Sequence, residues 1–304
     1  MNSKLLLTLL IILALLTGCY REDYEECPEG RYIYFQSIMP KYEFAEIVES
    51  IDLYVYSHTG ELVNTYNCPK QAVTGNKCIL PFQPVGEYTL VAVINVDDEH
   101  YETTDTDNFS AATLSLRCEN QSDVRKLQCD VYHGQKPTSF DRYSIVTYET
   151  DTIDVYKNTN NFSVTIKYVG GPLPNGEVNL HMTGNNGAYR FNNRAISHCY
   201  RQYHPHNLAT ITGADPYRMR TMRVVPDTDL MLNIEFQPAP NSRNAGSQEI
   251  LPIPMLNIDI AKYLASVTDF AGNKLYDTEE KLEREDEFEL RLTEPIRRGI
   301  VMMA

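Results

Sequence analysis

The sequence predicts an all-β protein made of two tandem β-sandwiches. Three observations predict it. Short runs of period-two alternation recur along the chain, separated by Gly, Pro and Asn turn signals. Only one stretch has a good helical period. The aromatic content, 21 Tyr and 10 Phe with no Trp, favours strands and contact surfaces over long helices. The 304 residues, 42% hydrophobic and 22% charged, suffice for a sizeable core and are long for a single sandwich.

The elements follow in order. Tyr32-Ile33-Tyr34-Phe35 is a first strand. Ile51 to Tyr56 alternates cleanly and turns at His58-Thr59-Gly60 into Glu61 to Tyr66. Pro84-Val85-Gly86 leads into Glu87 to Val96, apolar on both faces as a central strand is. Leu114 to Arg117, Leu127 to Tyr132 and at least one run within Ser144 to Tyr156 complete the first series. In the second, Phe162, Val164, Ile166 and Tyr168 line one strand face. Val178, Leu180 and Met182 lead to Gly184-Asn185-Asn186-Gly187, which reads as a hairpin turn. Met219 to Val225 and Leu230 to Phe236 are strands, and 237–249 is a loop. The helix is expected over Ile258 to Val267, with Ile260, Tyr263, Leu264 and Val267 on one face. Phe288, Leu290 and Leu292 alternate in a last strand. Polar Lys157-Asn158-Thr159-Asn160-Asn161 marks the boundary, giving sandwiches over 31–157 and 158–304.

The N-terminus is different in kind. Lys4 precedes an apolar run, Leu5 to Leu16. At 1.5 Å rise per residue that run spans about 18 Å, short of the roughly 30 Å hydrocarbon core of a bilayer. It therefore reads as a signal peptide over 1–18 and not as a transmembrane helix. Leu16-Thr17-Gly18-Cys19 resembles a bacterial lipobox, in which the cysteine thiol takes a diacylglycerol and the freed amine is acylated. Cys19 is the expected lipidation site, and 19–30 the tether. More than one acyl chain gives stable anchoring. Glu22, Asp23, Glu25 and Glu26 resemble the export signal of surface lipoproteins in Bacteroidetes.

Six further cysteines suit an oxidising compartment: Cys27, Cys68, Cys78, Cys118, Cys129 and Cys199. Six allow fifteen pairings. Cys68 with Cys78 and Cys118 with Cys129 are close in sequence, each pair near the ends of a strand-loop-strand segment. Cys27 and Cys199 are left to pair with each other.

Other clusters are weaker. His198-Cys199, His204 and His206 offer imidazole and thiolate that suit zinc, but the stretch reads as a polar loop. Asp97-Asp98-Glu99-His100 lacks the glycine and closing Glu of an EF-hand. The acidic residues within 279–289 read as a solvated approach to a strand. Arg218, Arg220 and Arg223 alternate with Met219 and Met222 as on an edge or surface strand; Arg218 and Arg220 share a face with Met222. The formal net charge is −14 and no basic patch offsets it, so nucleic acid is not an expected partner. Nucleophile elbow, phosphate-cradling loop and HExxH helix are all missing from the sequence. No enzyme activity, metal or cofactor is expected.

The ordered motifs carry a resemblance. They run from the lipobox through Cys27-Pro28-Glu29-Gly30, the hairpin Ile51 to Leu62 and the strand Pro84 to Ala92. They continue through Ile250-Leu251-Pro252-Ile253-Pro254-Met255-Leu256, Tyr263-Leu264 and Lys281 to Phe288. Together they resemble the FimB-type fimbrial anchor lipoproteins of Bacteroidetes. The likeness spans most of the mature chain and is weak over about 105–215. It implies transthyretin-like sandwiches, a tether to the outer membrane through lipid on Cys19, and a place at the base of a fimbrium whose length the anchor limits. It also implies fimbrial shaft subunits as partners, joined by strand exchange, in which an incoming strand satisfies an open sheet edge. The C-terminal Glu294 to Ala304 departs from the family's Trp-containing ending. A different reading is a surface glycan-binding lipoprotein, although such sites usually stack sugars on Trp and this chain has none.

Overall fold

The computed structural model describes residues 30–39, 44–70, 77–117, 123–124, 129–142, 149–169, 176–206, 216–226, 228–238, 253–285, 287–295 and 301–303. The signal peptide, Cys19 and the tether up to residue 29 lie outside the described residues. The protein is all-β, a set of packed sheets with three short helices among the described residues.

The first half carries β1 (Gly30–Ser37), α1 (Phe44–Ile47), β2 (Ser50–Ser57), β3 (Leu62–Pro69), β4 (Lys77–Pro81) and β5 (Gly86–Ile94). It continues with β6 (Tyr101–Thr104), β7 (Thr113–Leu116), β8 (Asp123–Val124), β9 (Tyr132–Phe140) and β10 (Thr150–Lys157). Seven of these strands form one sheet in the order β3-β2-β5-β9-β10-β1-β4. The period-two rule puts successive side chains on opposite faces. In β2 and β5 both faces are apolar. Ile51, Leu53, Val55, Leu90, Ala92 and Ile94 enter one core, with Ile33, Phe35, Leu80, Ile153 and Val155 from the far end of the same sheet. The sheet therefore folds over on itself. Its two edge strands, β3 and β4, are joined by the Cys68–Cys78 disulfide, with Cα atoms 6.4 Å apart.

β9 was not expected. Pairing begins at Tyr132, where the predicted Leu127 strand ends; 125–128 lie outside the described residues. Gly134 and Pro137 hide the strand from propensity reasoning. Both fit for a tertiary reason. A Cβ on Gly134 would lie 2.6 Å from the Asp154 carbonyl oxygen. Beyond Gly134, β9 leaves β10, which pairs with it only from Val155 to Lys157. A proline without an N–H is tolerated where the strand lacks a partner on that side.

The second half carries β11 (Thr159–Val169), β12 (Gly176–Gly184), β13 (Ala188–Arg190), β14 (Arg201–Tyr203), β15 (Tyr217–Met222), β16 (Leu230–Pro238) and β17 (Ile253–Asp259). Then come α2 (Ile260–Ser266), α3 (Glu279–Glu283), β18 (Glu287–Pro295) and β19 (Val301–Met303). The sheets are β15-β11-β18-β19, β17-β16-β12-β14-β8 and β13-β7-β6. Asp259 caps α2 by accepting from the Lys262 amide, so the helix begins two residues later than expected, after β17.

The expected hairpin at Gly184–Gly187 is overturned. β12 pairs with β16 and β14, while β13 crosses to pair with β7 of the first half. Asn186 is fully buried; its amide donates to the Met222 and Arg223 carbonyls and its oxygen accepts from Tyr203. Those bonds hold the turn inside the protein.

The second core crosses between the halves. Tyr54, Tyr56, Val91 and Val93, on the other face of β2 and β5, pack with Tyr101, Leu114 and Leu116. They join Phe162, Val164, Leu180, Met219, Leu232, Phe288 and Leu290. Phe191 sits edge-on to Tyr54, with centroids 4.9 Å apart.

Candidate assembly interface

Strand exchange needs an open sheet edge, because an unpaired row of N–H and C=O groups templates another strand. Most edges here are blunted. β3 and β4 are stapled together. β17 carries Pro254 and a register shift opposite it. β15 is an edge strand with Arg218 exposed and Arg220 half-buried. β8 has two residues.

β18 is less completely covered. One side pairs in parallel with β11 along its whole length, from Asn161↔Glu287 to Val169↔Pro295. Among the described residues, the other side pairs with β19 at Arg291, Leu292 and Thr293. Among the described residues no strand pairs with that side of β18 at Phe288, Glu289 or Leu290. The strand keeps the alternation that an interior strand needs. Phe288, Leu290 and Leu292 are buried, while Glu287, Glu289 and Arg291 are exposed. Phe288 stacks on Phe162 at 5.2 Å and meets Tyr276 edge-on at 5.5 Å. The acidic stretch before β18 is helix α3, capped by Thr278 and followed by an αR residue at Arg284, in place of the extended approach the sequence suggested.

The junction between the halves is the second feature. Lys157, Asn158, Thr159 and Asn160 are at most 3% exposed, although a polar run of this kind is ordinarily solvated. Asp130 explains their burial. Its carboxylate is 3.0 Å from Lys157 Nζ and 3.3 Å from Arg220 Nε, and it accepts from the Thr159 hydroxyl. Asn158 donates its amide to the Val131 carbonyl and accepts from the Arg223 amide. Asn160 accepts from Val224 and donates to the Glu285 carbonyl, next to β18. Arg223 is 1% exposed, just past the end of β15, and Met222 is fully buried. The regular alternation read for this arginine stretch therefore stops at the strand end.

Nearby, His133 is buried on β9 and donates from Nε2 to the Phe191 carbonyl at 2.8 Å. Burial, with Arg223 close by, pushes its pKa down to about 4.

The cysteines divide. Cys68 and Cys78 are bonded. Cys129 is a free thiol and not a partner of Cys118, which lies outside the described residues. It donates to the Asn95 carbonyl at 3.1 Å and to the Asp97 carboxylate at 3.2 Å. Burial, with Asp97 adding to it, pushes the Cys129 pKa up to about 12. Cys199 is also a free thiol, so the expected bond to Cys27 is replaced; Cys27 lies outside the described residues. Sequence proximity alone did not distinguish these pairs. Among the described cysteines, only Cys68 and Cys78 face one core from strands at meeting edges.

Asp97 is occupied as a turn cap, accepting from the Glu99 and His100 amides and the His100 ring. Burial acts to raise its pKa, yet the bonds from Cys129 and His100 hold it below the usual carboxylate range. Among the described residues no three potential ligands cluster around a metal position. No helix among them is long and apolar enough to cross a membrane.

The fold defines a multi-sheet β-sandwich protein in which, among the described residues, part of the β18 edge has no paired strand. A family model, fimbrillin-A associated anchor proteins Mfa1 and Mfa2, matches residues 24–296, and the chain belongs to that family. Solved structures share the fold. A candidate polysaccharide-binding protein of Bacteroides thetaiotaomicron has a TM-score of 0.73 at 17% identity, over 89% of this chain and 94% of that one. A candidate adhesin of Bacteroides ovatus has 0.72 at 17%, over 90% and 93%. The fimbrial anchor protein Mfa2 of Porphyromonas gingivalis has 0.65 at 17%, over 88% and 91%. No curated protein matches the sequence. Membership of a fimbrial anchor family implies association with fimbrial subunits at the cell surface.

Proposed function

We propose that this chain is the base subunit of a fimbrium, held in the outer membrane by lipid on Cys19 and limiting the length of the filament. Fimbrial shaft subunits join it by strand exchange. The observation that carries this reading is the β18 edge, which among the described residues is paired with β11 from Glu287 to Pro295 on one side and with β19 at Arg291, Leu292 and Thr293 on the other. An incoming strand there would satisfy backbone groups and extend the sheet over the second core. We place the division of the chain at residues 157/158. All strands of the seven-stranded sheet precede Asn158, while β6, β7 and β8 join sheets with strands of the second half.

The test is electron microscopy of a deletion strain with an assay for shed fibres. Long or shed filaments are expected, together with copurification of the chain with filaments from the parent strain. Normal filament length and retention sink the proposal. Glycan capture is the competing reading. It predicts saturable glycan binding, but the most exposed described aromatics, Phe270 and Tyr200, stand on separate turns.

A further inference from the structure

We infer that the chain is a tension-bearing connector, with two parallel strand pairs in series, each loaded in shear between the membrane tether and the filament. The inference rests on the anchor reading for where force enters and leaves. The geometry itself comes from the strand registers.

The tether precedes Gly30, where β1 begins. β1 pairs in parallel with β10, from Tyr32↔Thr150 to Ser37↔Val155. In a parallel pair, the start of one strand and the end of the other lie at opposite ends. Force entering at the start of β1 and leaving at the end of β10 therefore runs along the strands. The ladder bonds between them are then loaded together and do not open one after another. The end of β10 is Lys157, and one residue later β11 begins. β11 is parallel to β18 from Asn161↔Glu287 to Val169↔Pro295. Force entering at the start of β11 and leaving at the end of β18, or through a strand laid along it, again runs along the ladder.

Both ends of the first pair are secured. Arg31, the second residue of β1, is 5% exposed. Its guanidinium donates to Asp151 at 2.9 Å, to the Ser139 carbonyl at 2.8 Å, and to Thr138 and Glu149, and it lies 4.1 Å from the Phe140 ring centroid. One side chain thus ties the start of β1 to β9 and β10, and hydrogen bonds to ionised groups are the strong ones. On its other side β1 pairs with β4, from Gly30↔Pro81 to Tyr34↔Lys77, and the disulfide holds β4 to β3. At the far end, the buried Lys157–Asp130 pair and the Asn158 backbone bonds leave no slack in the hand-over to β11. Forced unfolding is governed by the unfolding rate, so bonds that must break together set the resistance.

Single-molecule pulling of residues 20–304, tagged at both ends, tests this without a fimbrium. The comparison places one handle at the N-terminus and the other in the exposed Asp141–Arg142 turn. That arrangement loads the β1–β10 pair from one end, as a zipper. The expected result is a clearly higher rupture force for the end-to-end pull. The event that opens the first sandwich should lengthen by about 30 Å on reduction, because Cys68 and Cys78 sequester ten residues at roughly 3.6 Å each. Arg31→Lys, which keeps the charge and loses the fork, should lower the force of that event; Arg291→Lys, on the surface, should not. Equal forces in the two geometries, or low-force peeling from Gly30 onwards, overturn the inference. A strong clamp in a chain whose deletion leaves fimbriae unchanged removes the anchor reading instead.

Discussion

The seven-stranded sheet and the four-stranded sheet solve the edge problem in opposite ways. The first folds over until β3 and β4 meet and seals the meeting with Cys68–Cys78. The second ends in β18, with its buried apolar face, and the three-residue β19 beside it. The first arrangement resists addition of strands, and the second invites it. A protein that must be both tethered and extendable needs one of each. The closed sheet includes β1, the first described strand, and the other includes β18 and β19, the last two.

Four predictions can break or sharpen this contrast. The largest effect is expected at the open sheet's core: Phe288→Ala removes a ring stacked on Phe162 and should cost about 3–5 kcal/mol, read by denaturant unfolding. A cost near zero would mean that β18 is not a fixed part of the sheet. Next comes the disulfide. Replacing Cys68 and Cys78 with Ala should cost about 2–4 kcal/mol, and limited proteolysis should then cut first within the first half.

The third prediction is a pH dependence. His133 has its folded pKa depressed to about 4, below the roughly 6.5 of the unfolded chain. The unfolded state then binds more protons between these values, so stability falls as pH drops from about 6.5 towards 4 and is unaffected above that window. The share from His133 approaches about 3 kcal/mol at the bottom. Unfolding of His133→Gln at pH 5 and pH 7 should show a smaller difference than the parent does. The smallest effect is expected on removing residues 301–304. β19 contributes only three paired residues, so the loss should stay below about 1 kcal/mol, while binding of a strand peptide at the β18 edge should improve. Weaker peptide binding after truncation would place the partner site elsewhere.

Some of this was legible in the sequence and some was not. Phe288 to Leu292 stands out because its alternation writes burial on one face locally. β5 could be read as central because both of its faces are apolar. β9 was hidden, since Gly134 and Pro137 suit the particular neighbours that β9 has and loses. The polar run at 157–161 marked the passage between sheets. Its burial could not be foreseen, because Asp130 and Arg220 reach it from distant parts of the chain.

The sequence by itself determined the β class, most strand positions, the lone amphipathic helix and the family to which the motifs belong. Each of these is encoded over a few consecutive residues, or in their order. Tertiary structure decided which strands are neighbours, and that Cys129 and Cys199 stay free while Cys68 and Cys78 join. It also decided that Gly184–Gly187 is a crossing into another sheet and not a hairpin. The physical reason is that alternation fixes which face of a strand is buried but carries no information about what buries it. Partners are chosen by the packing of the whole chain.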